Sequence, residues 1–392
     1  MLFAHSDSPG RHVRLGYCLN LHAAESLDEL LESLRAVTLP LRDRIAPSGR
    51  FGVGMYLPAK LARHLLTEEG ADELLRLREF LSEERLDPFT YNAFPFGDFQ
   101  TDGLKERVYE PLWTNAARAR YTLDVARLAQ LLAGEEEARS HLSISTHGGR
   151  YGEWEEGERA QAVAQFSEVL KVLEGSEGTP VALSIEAEPC SSCSDSFAAA
   201  AWVQEIDSER LGLCLDCCHS AVEFEDVEAT LAACLGAGLG KVQFSSALRL
   251  ESPSANPEGV AALLDLDEAR FLHQVIASGA GLRASDIPDL ASELSAGDWL
   301  GQEEWRCHFH VPVDLDHFSG LGTTSSHADR LVEGLLGASE SWSWPELHLE
   351  IETYTWSVLP SGPGSEVALV DALEREYRHV LALLSGAGWR SA

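Results

Sequence analysis

Residues 181–186 have the sequence VALSIE, and residues 211–219 have the sequence LGLCLDCCH. Each stretch begins as an apolar strand pattern and ends in a carboxylate, Glu186 in the first and Asp216 in the second. Strands that are apolar on both faces suit a parallel sheet covered by helices. These two stretches therefore predict consecutive strand–helix units with polar chemistry at the strand ends.

The same alternation runs through the whole chain. Apolar or β-branched runs occupy residues 15–21, 51–57, 89–94, 142–146, 181–186, 211–215, 241–245, 306–311 and 347–351. Segments of helical period lie between them at 26–37, 68–83, 116–133, 160–173, 227–237 and 366–384. Eight such units close into a barrel of about 250 residues or more, so we predict a single (β/α)8 TIM barrel over residues 10–390. A doubly wound open sheet is the competing architecture, but no glycine-rich phosphate loop follows the first strand.

The nine predicted strands exceed the eight of a barrel by one. The excess follows Ser245, where a long stretch rich in Ser, Gly, Pro and Asp precedes Arg306. Loops of this length are usually functional, so we predict an insertion at 249–305, after strand seven and near the active-site face. Whether 306–313 is a barrel strand or part of the insertion stays open at this point.

The charge of the chain argues against a nucleic-acid partner. Among 392 residues, 63 Asp and Glu stand against 30 Lys and Arg, a formal net charge of −33. Nucleic-acid binders take much of their affinity from cations that neutralise phosphates, so we expect no nucleic-acid partner. Much of the acid lies in runs such as 68–84 and 135–137, where solvation on a helix surface is a sufficient explanation.

The ends and the cysteines of the chain indicate its compartment. No apolar run approaches the roughly 18 residues that span a bilayer, and the N-terminus lacks the features of a signal peptide. Three of the eight cysteines crowd into Cys214, Cys217 and Cys218, which argues for reduced thiols. We therefore expect a cytoplasmic protein with no membrane insertion; its oligomeric state stays open.

Residues that bind metals or move protons follow strand after strand. They are His147, Glu186, Glu188, Asp216, His219, Gln243, His308, His310, Glu350 and Glu352. Active sites of βα barrels lie at the C-terminal ends of the strands, and two strand residues separated by one share a face. Carboxylates and imidazoles are costly to bury without partners, and a shared cation satisfies several at once.

Each of these residues also has an ordinary structural interpretation. Asp216 has the residue type of a helix N-cap, and His147 could be a hydrogen-bonded loop residue. One glutamate of the Glu186–Glu188 pair could simply be solvated, and His308 and His310 could belong to a half-buried strand. The set as a whole favours a divalent cation such as Mn²⁺, Mg²⁺, Zn²⁺ or Co²⁺.

The ligands and the catalytic groups can be assigned as hypotheses. We expect Glu186, Asp216, Glu352 and a histidine from His308 or His310 to bind the ion. His219 then orients substrate or completes the shell, and a remaining glutamate of the set that includes Glu186, Glu188 and Glu352 is the base for an isomerisation or epimerisation. Glu350 and His147 are further candidate ligands.

Aromatic segments predict where the substrate binds. The stretch 89–99 (FTYNAFPFGDF) reaches a turn, and its functional interpretation is a substrate-lining loop with Asn92 at the mouth. Trp356, just past Glu352, is a second candidate contact, beside His219 and Gln243. Aromatics at a barrel mouth favour a small organic metabolite.

The cysteines suggest a rival metal site. Cys190 and Cys193, with Cys214 and Cys217, have the spacing of two metal clips and could form a four-cysteine zinc site. Cys214 alternates with Asp216 along one strand while Cys217 lies past its end, which is poor clamp geometry. We therefore favour packing for Cys214 and leave Cys190 and Cys193 undecided.

The strand-end residues resemble those of the xylose-isomerase-like βα-barrel superfamily, which includes sugar isomerases, epimerases and endonuclease-IV-type enzymes. Within it, eight segments resemble the EboE-type metabolite-traffic proteins: GYCLNLH (16–22), NAFPFGDF (92–99), EAEPCSSC (186–193), LCLDCCHS (213–220), KVQFSSAL (241–248), FLHQV (271–275), WRCHFHVPVD (305–314) and EIETYTWSVLP (350–360). The resemblance implies metal positions at Glu186, Asp216, His219 and either Glu350 or Glu352, with His147 matching the endonuclease branch. It also implies a role in a bacterial gene cluster that processes or exports a secondary metabolite.

One departure from the family pattern separates three hypotheses. The superfamily often has a metal-binding histidine on strand seven, where this chain has Gln243. If His308 or His310 fills that position, a metal-dependent enzyme acting on a small hydroxylated or carbonyl metabolite follows. If neither does, a metabolite-binding carrier without turnover is favoured. The third hypothesis, a phosphodiesterase or endonuclease, needs phosphate-binding cations, for which Arg150 and Lys241 are weak support.

Overall fold

The molecule is built on a closed parallel barrel. The structure is a computed structural model that describes residues 1–134, 139–279, 281–295, 298–360 and 362–392. Its barrel strands are β1 (His12–Cys18), β2 (Phe51–Tyr56), β3 (Leu86–Asn92), β4 (Leu142–His147), β5 (Val181–Glu186), β6 (Leu211–Asp216), β7 (Leu239–Phe244) and β8 (Glu346–Ile351). Each pairs in parallel with the next, and β8 pairs in parallel with β1, which closes the sheet. The predicted (β/α)8 TIM barrel is confirmed.

Helices surround the barrel and also lie in the segment between β7 and β8. They are α1 (Leu27–Ser33), α2 (Leu39–Ile45), α3 (Ala59–Leu65), α4 (Ala71–Glu83), α5 (Ala116–Leu132), α6 (Glu158–Glu174), α7 (Ser196–Ile206), α8 (Cys217–Val222), α9 (Val227–Ala237), α10 (Pro257–Leu264), α11 (Ile287–Glu293), α12 (Ser325–Gly337) and α13 (Glu366–Gly386). In the part of the chain that the structure describes, none of them is long and apolar enough to cross a membrane. The acidic run predicted at 135–137 lies outside the described residues.

The barrel strands are buried because both of their faces are covered. Every residue of β2 to β8 is buried. Side chains on one face fill the barrel and those on the other face pack against the helices, so neither face alternates with solvent. Two short strands, Leu2–Ala4 and Arg390–Ser391, extend the sheet in antiparallel fashion beside β1.

The ninth predicted strand belongs to a second sheet. That sheet, here called the insertion sheet, contains Ser246–Glu251, Val275–Ala277, Arg283–Ala284, Glu304–Val311, His317–Phe318 and Leu321–Thr323, all paired antiparallel. Predicted strand 306–311 lies within Glu304–Val311, whose first residues alternate between half-buried and buried. That alternation is typical of an antiparallel strand with one wet face. The insertion sheet extends beyond the predicted bounds of 249–305 at both ends.

A buried ion group joins the strands at the end of the barrel opposite the site. Arg14 on β1 donates to both oxygens of Glu346, at 2.8 and 3.1 Å, and to Asp87 at 2.8 Å. Burial alone would raise the pKa of Glu346, but hydrogen bonds from His348 and Arg14 hold that pKa well below its usual range. A carboxyl with a depressed pKa stabilises the fold above its unfolded pKa, and this contribution is lost as the pH falls.

Arg14→Met is expected to destabilise the protein by about 3 kcal/mol, because it removes the buried arginine that pairs with Glu346, whereas Asp87 keeps a second arginine, Arg139, at 2.7 Å. The measurement is urea unfolding at pH 7 and at pH 4. The difference from the wild type should shrink at the lower pH, where protonation relieves the unpaired charge. Arg378→Met is the control, because its ion pair with Glu374 joins an exposed arginine to a carboxylate on one helix surface. Equal losses in the two variants would contradict this account.

Candidate metal centre

Three carboxylates converge at the C-terminal ends of β5, β6 and β8. Glu186 and Asp216 are the last residues of β5 and β6, and Glu352 follows β8 directly. Each offers an oxygen atom, and these three oxygens lie within 4.8 Å of one another. One oxygen of each carboxyl, Oε2 of Glu186, Oδ2 of Asp216 and Oε2 of Glu352, is buried without a hydrogen-bond partner. We call these three residues the carboxylate group.

Asp216 serves both as a helix cap and as a member of this group. Its Oδ1 accepts a hydrogen bond from the backbone N–H of His219 at 2.9 Å and thereby caps α8. Its Oδ2 takes no part in the cap and lies 3.9 Å from the Nε2 atom of His219. The two interpretations of Asp-x-x-His are therefore compatible, because the two oxygens have different tasks.

Three imidazoles form a second cluster beside the carboxylates. His308 and His310, on one face of Glu304–Val311, meet His219 of α8. Their Nε2 atoms form a triangle with sides of 3.0 Å from His219 to His308, 2.9 Å from His308 to His310 and 3.2 Å from His310 to His219. Nitrogens bound to a common ion at about 2.05 Å are separated by about 2.9–3.3 Å in octahedral or tetrahedral geometry. We call these residues the imidazole group.

The other ring nitrogen of each histidine determines which nitrogen is free. Nδ1 of His219 faces the carbonyl of Ala187 at 2.7 Å, and Nδ1 of His308 faces the side-chain oxygen of Gln274 at 2.5 Å. Nδ1 of His310 lies 3.1 Å from the carbonyl of Glu352 and 2.8 Å from the hydroxyl of Ser245, which can accept as well. A carbonyl can only accept, so each Nδ1 carries the proton and each Nε2 presents a lone pair. Three lone pairs at this separation repel one another unless a cation or a proton lies between them, and metal-bound histidines are commonly oriented in this way.

Burial shifts the ionisation of the carboxylate group and of His308 and His310 toward neutral forms. Burial raises the pKa of Glu186 and of Asp216, and burial together with Glu186 and Asp216 raises the pKa of Glu352. Burial, with the neighbouring His219, lowers the pKa values of His308 and His310 well below the usual value. Neutral imidazoles are the form that binds metals, and the carboxyls give up their protons to a cation that replaces them.

Glu188 lies outside the carboxylate group and lines the cavity above it. Its Oε1 accepts a hydrogen bond from the amide of Gln274 at 3.3 Å, and its Oε2 lies 3.5 Å from Nε2 of His219. Burial raises the pKa of Glu188 to about 7, against a lowering effect of His219. Glu188 thus lines the cavity next to the imidazole group, and it also forms a cluster of candidate ligands with His219 and His308.

Glu350 has a different partner from the one predicted. Its Oε2 lies 2.5 Å from Nζ of Lys241, and both side chains are buried inside the barrel. Its carboxyl fills the space that a Cβ atom at position 54 would need, so Gly54 is required there. Among the described residues Glu350 joins no cluster of candidate ligands. A cation from the chain itself, Lys241, offsets its charge, while Oε1 of Glu350 has no hydrogen-bond partner in the described part of the chain.

The predicted ligand His147 and the predicted substrate contact Gln243 have other partners. His147 has its Nδ1 atom 2.6 Å from the carbonyl of Gly149 and packs against the rings of Phe94 and Tyr109. In the described ranges His147 joins no candidate cluster. Gln243, on β7 opposite Asp216, accepts a hydrogen bond from the Cys214 thiol at 2.7 Å.

The rival four-cysteine site has no geometric support. Among the described residues, Cys190, Cys193, Cys214 and Cys217 occur in no cluster of candidate ligands, and Cys218 is the cysteine that does, beside His308 and His310. All eight cysteines are free thiols. Burial raises the pKa of Cys193 to about 12 and that of Cys190 to about 11, so both stay protonated thiols at neutral pH.

Some of the predicted substrate contacts line the cavity, and one of them packs elsewhere. Asn92 lines the cavity, and its amide donates to Oε1 of Glu352 at 3.3 Å. His219 also lines the cavity. Trp356 packs instead in the core of the insertion sheet, where its neighbours include Leu359 and Trp305. Tyr354, two residues earlier in the chain, lines the cavity, and Trp356 is not part of that lining.

The cavity also contains residues that the sequence interpretation missed. Asn20 lies two residues past the end of β1, and its amide donates to Oε1 of Glu352 at 3.2 Å. Tyr354, Phe99, Phe271 and Lys105 complete the walls around about 490 Å³ of space outside the protein atoms. Asn20 could have been found as a polar residue at a strand end, whereas Phe271 reaches the cavity only through the fold of the insertion.

Comparison with known proteins identifies the family. The family model described as a xylose isomerase-like TIM barrel matches residues 52–305. D-psicose 3-epimerase from Clostridium cellulolyticum H10, in a structure with D-tagatose, is 12% identical, covering 95% of this chain and 99% of that one, with a TM-score of 0.52. A probable 3-DHS dehydratase, AsbF, from Bacillus anthracis is 13% identical, covering 94% and 99%, with a TM-score of 0.50. No curated protein sequence matches the chain. At these identities the two structures show a shared fold, and the family match shows that this chain belongs to the xylose isomerase-like TIM barrel family.

Proposed function

We propose that this protein is a divalent-metal-dependent enzyme of the isomerase or epimerase type, acting on a small hydroxylated or carbonyl metabolite. One observation carries the proposal: three partnerless carboxylate oxygens and three bare imidazole nitrogens converge at the end of the barrel. Buried donors of this kind fit a cation and little else. The metals compatible with these ligands are Mn²⁺, Mg²⁺, Zn²⁺ and Co²⁺.

The charge balance supports two ions rather than one. Glu186, Glu188, Asp216, Glu350 and Glu352 are all buried here, and Lys241 is the one buried lysine among them in the described part of the barrel interior. Five carboxylates less one ammonium leave four negative charges, which two divalent ions offset. A single ion that took all six donors of the two groups would also have no open position for substrate.

We assign one ion to the carboxylate group and one to the imidazole group. Asp216 belongs to the first group and lies next to the second. It forms one cluster of candidate ligands with Glu186 and Glu352 and another with His219 and His310. This division differs from the sequence hypothesis of a single ion, in which one histidine joined the carboxylates and His219 oriented substrate or completed the shell. It also means that His308 and His310, from the insertion, take the role that the family often gives to a strand-seven histidine.

The residues of the chain then have separate tasks. A divalent ion held by these residues would polarise a carbonyl oxygen of the substrate. Glu188, which faces the cavity but lies outside the carboxylate group, removes and returns the proton on the adjacent carbon. Asn20 and Asn92 hold Oε1 of Glu352 and so orient its other oxygen toward the carboxylate group.

The structure gives less support to the two alternative functions. A phosphodiesterase needs free cations, but Arg150 is paired with Glu158 at 2.5 Å and Lys241 with Glu350 at 2.5 Å. A carrier without turnover needs no carboxylate poised beside the ligand, and Glu188 is such a group. The cellular setting that we propose, a cytoplasmic bacterial protein of the EboE type in secondary-metabolite processing or export, rests on the sequence resemblance.

Proton transfer at a carbon next to a carbonyl is the expected activity. Metal-loaded protein in D₂O should catalyse deuterium incorporation into an α-hydroxyketone, followed by NMR with D-tagatose and 2-hydroxyacetophenone as probes. Glu188→Gln should lower the exchange rate at least about 100-fold while the metal content stays unchanged. The control is Glu223→Gln, a buried carboxyl that pairs with Arg283 away from the cavity. No exchange in either probe above the Glu188→Gln level would overturn the enzyme proposal.

A further inference from the structure

The cavity has one polar end and one aromatic end. The polar end carries the carboxylate and imidazole groups. At the other end, the rings of Phe99, Phe271 and Tyr354 contact one another with centroid separations of 5.0, 4.8 and 5.1 Å. The ring of Tyr354 also lies 4.5 Å from the ring of His310, so the aromatic wall begins directly beside the imidazole group.

The rest of the aromatic end is apolar as well. Leu104 and Val108 pack against these rings, and Phe94 and Leu272 also line the cavity. Of the two amides in the lining, Asn92 accepts from the backbone N–H of Phe94 at 2.9 Å and donates to Glu352, whereas Asn20 donates to Glu352 and keeps one acceptor oxygen without a partner among the described residues. Hydroxyl groups of a substrate would therefore find few partners at this end, and a buried polar group without a partner is costly.

The cavity also offers no free cation for an anionic substrate. Lys105 is the one lysine or arginine in the described cavity lining, and its Nζ lies 2.6 Å from Asp286. Arg270 lies at the rim and donates to Gln100 at 2.9 Å and to Asp102 at 3.3 Å. Glu188 adds a carboxyl to the lining, so a phosphate or carboxylate on the substrate away from the metal would meet repulsion or desolvation without compensation.

We propose that the substrate is an uncharged molecule with adjacent hydroxyl and carbonyl oxygens at one end and an aromatic or alicyclic ring at the other. The oxygens face the metal groups, and the ring packs against Phe99, Phe271 and Tyr354. This inference rests on the proposed metal function and narrows its substrate class. It excludes phosphorylated sugars, and it makes free polyhydroxylated sugars poor ligands because most of their hydroxyls would face the aromatic wall.

Matched probes test the inference by binding, measured by titration calorimetry on the metal-loaded protein. 2-Hydroxyacetophenone, which has the ring and the two oxygens, should bind at least tenfold more tightly than hydroxyacetone, which lacks the ring. 4-(2-Hydroxyacetyl)benzoate, which adds a carboxylate to the ring, and D-tagatose should each bind at least tenfold more weakly than 2-hydroxyacetophenone. Phe271→Ala should reduce the ring preference to less than threefold, whereas Phe197→Ala, at an exposed position on α7, should leave it unchanged.

Several results would overturn the inference. They are D-tagatose or the carboxylated probe binding as tightly as 2-hydroxyacetophenone, an unchanged ring preference in Phe271→Ala, or no binding of 2-hydroxyacetophenone at all. Failure of the proposed function is a different result. Ring-dependent binding that persists unchanged in metal-free protein, with no deuterium exchange, would support the substrate class and contradict the metal-dependent enzyme.

Discussion

Asp216→Asn is expected to lower the metal content of the protein from two ions per chain to less than one. The amide keeps an oxygen that can cap α8, so the helix is preserved, but it removes the charged oxygen that lies near both the carboxylate and the imidazole group. We expect the affinity for divalent metal to fall at least about 100-fold, since this exceeds the 10–100-fold typical for residues that only support a ligand. The measurement is elemental analysis after equilibrium dialysis against Mn²⁺ or Zn²⁺.

Two matched variants separate the possible outcomes of this experiment. Asp226→Asn alters another helix N-cap, in which Asp226 accepts from the backbone N–H of Ala229 at 3.0 Å, and should keep two ions. His308→Gln should keep one ion, because it removes a ligand of the imidazole group alone. If wild type, Asp216→Asn and Asp226→Asn contain equal amounts of metal, the assigned site is wrong. If the wild type holds one ion and His308→Gln holds none, the division into two ions is wrong.

Metal removal is expected to lower the stability by about 4 kcal/mol or more, relative to protein with free metal at 1,000 times its dissociation constant. The cause is that the metal binds the assembled donors and not the unfolded chain. The measurement is thermal unfolding at pH 7.5 with metal and with EDTA followed by dialysis. The ion pair of Lys241 and Glu350 remains in both states, so the barrel itself should stay folded without metal.

The pH dependence of the metal-free protein should have a defined sign. Raised pKa values of Glu186, Glu188, Asp216 and Glu352 mean that the folded state binds more protons than the unfolded one. Stability should therefore rise as the pH falls from 8 to about 6.5, by about 1–2 kcal/mol. Below that range the lowered pKa values of His308 and His310 act in the opposite direction. Metal-loaded protein should instead lose stability over the same fall in pH, because protons compete with the metal. Identical pH profiles with and without metal would contradict the assignment.

The barrel could be predicted from the sequence because its physical cause is local. Strands with both faces covered are continuous apolar runs, and the alternation with helical stripes then allows few other folds. The strand Glu304–Val311 was ambiguous because its second half is as buried as a barrel strand, while only Glu304 and Arg306 indicate a wet face. It pairs with Ser246–Glu251 and Val275–Ala277, which lie far from it in the sequence.

The candidate site was predictable to the extent that strand ends determine it. Glu186, Asp216 and Glu352 converge because parallel strands bring their C-terminal ends to one rim. The role of Glu350 could not be deduced in this way, since its partner Lys241 is set by the packing inside the barrel. The imidazole group was suggested by the His308–His310 spacing, but the approach of His219 depends on how the insertion sheet lies over α8. Trp356 shows the limit of inference by proximity in sequence, as it packs into the insertion core.

The central claim is that the carboxylate and imidazole groups each hold a divalent ion. Anomalous X-ray diffraction from crystals grown with Mn²⁺ or Zn²⁺, collected on both sides of the absorption edge of the metal, tests it most directly. The account predicts two peaks per chain, one among the oxygens of Glu186, Asp216 and Glu352 and one among the Nε2 atoms of His219, His308 and His310. Absence of both peaks, or peaks only at the cysteines or at surface carboxylates, would contradict it.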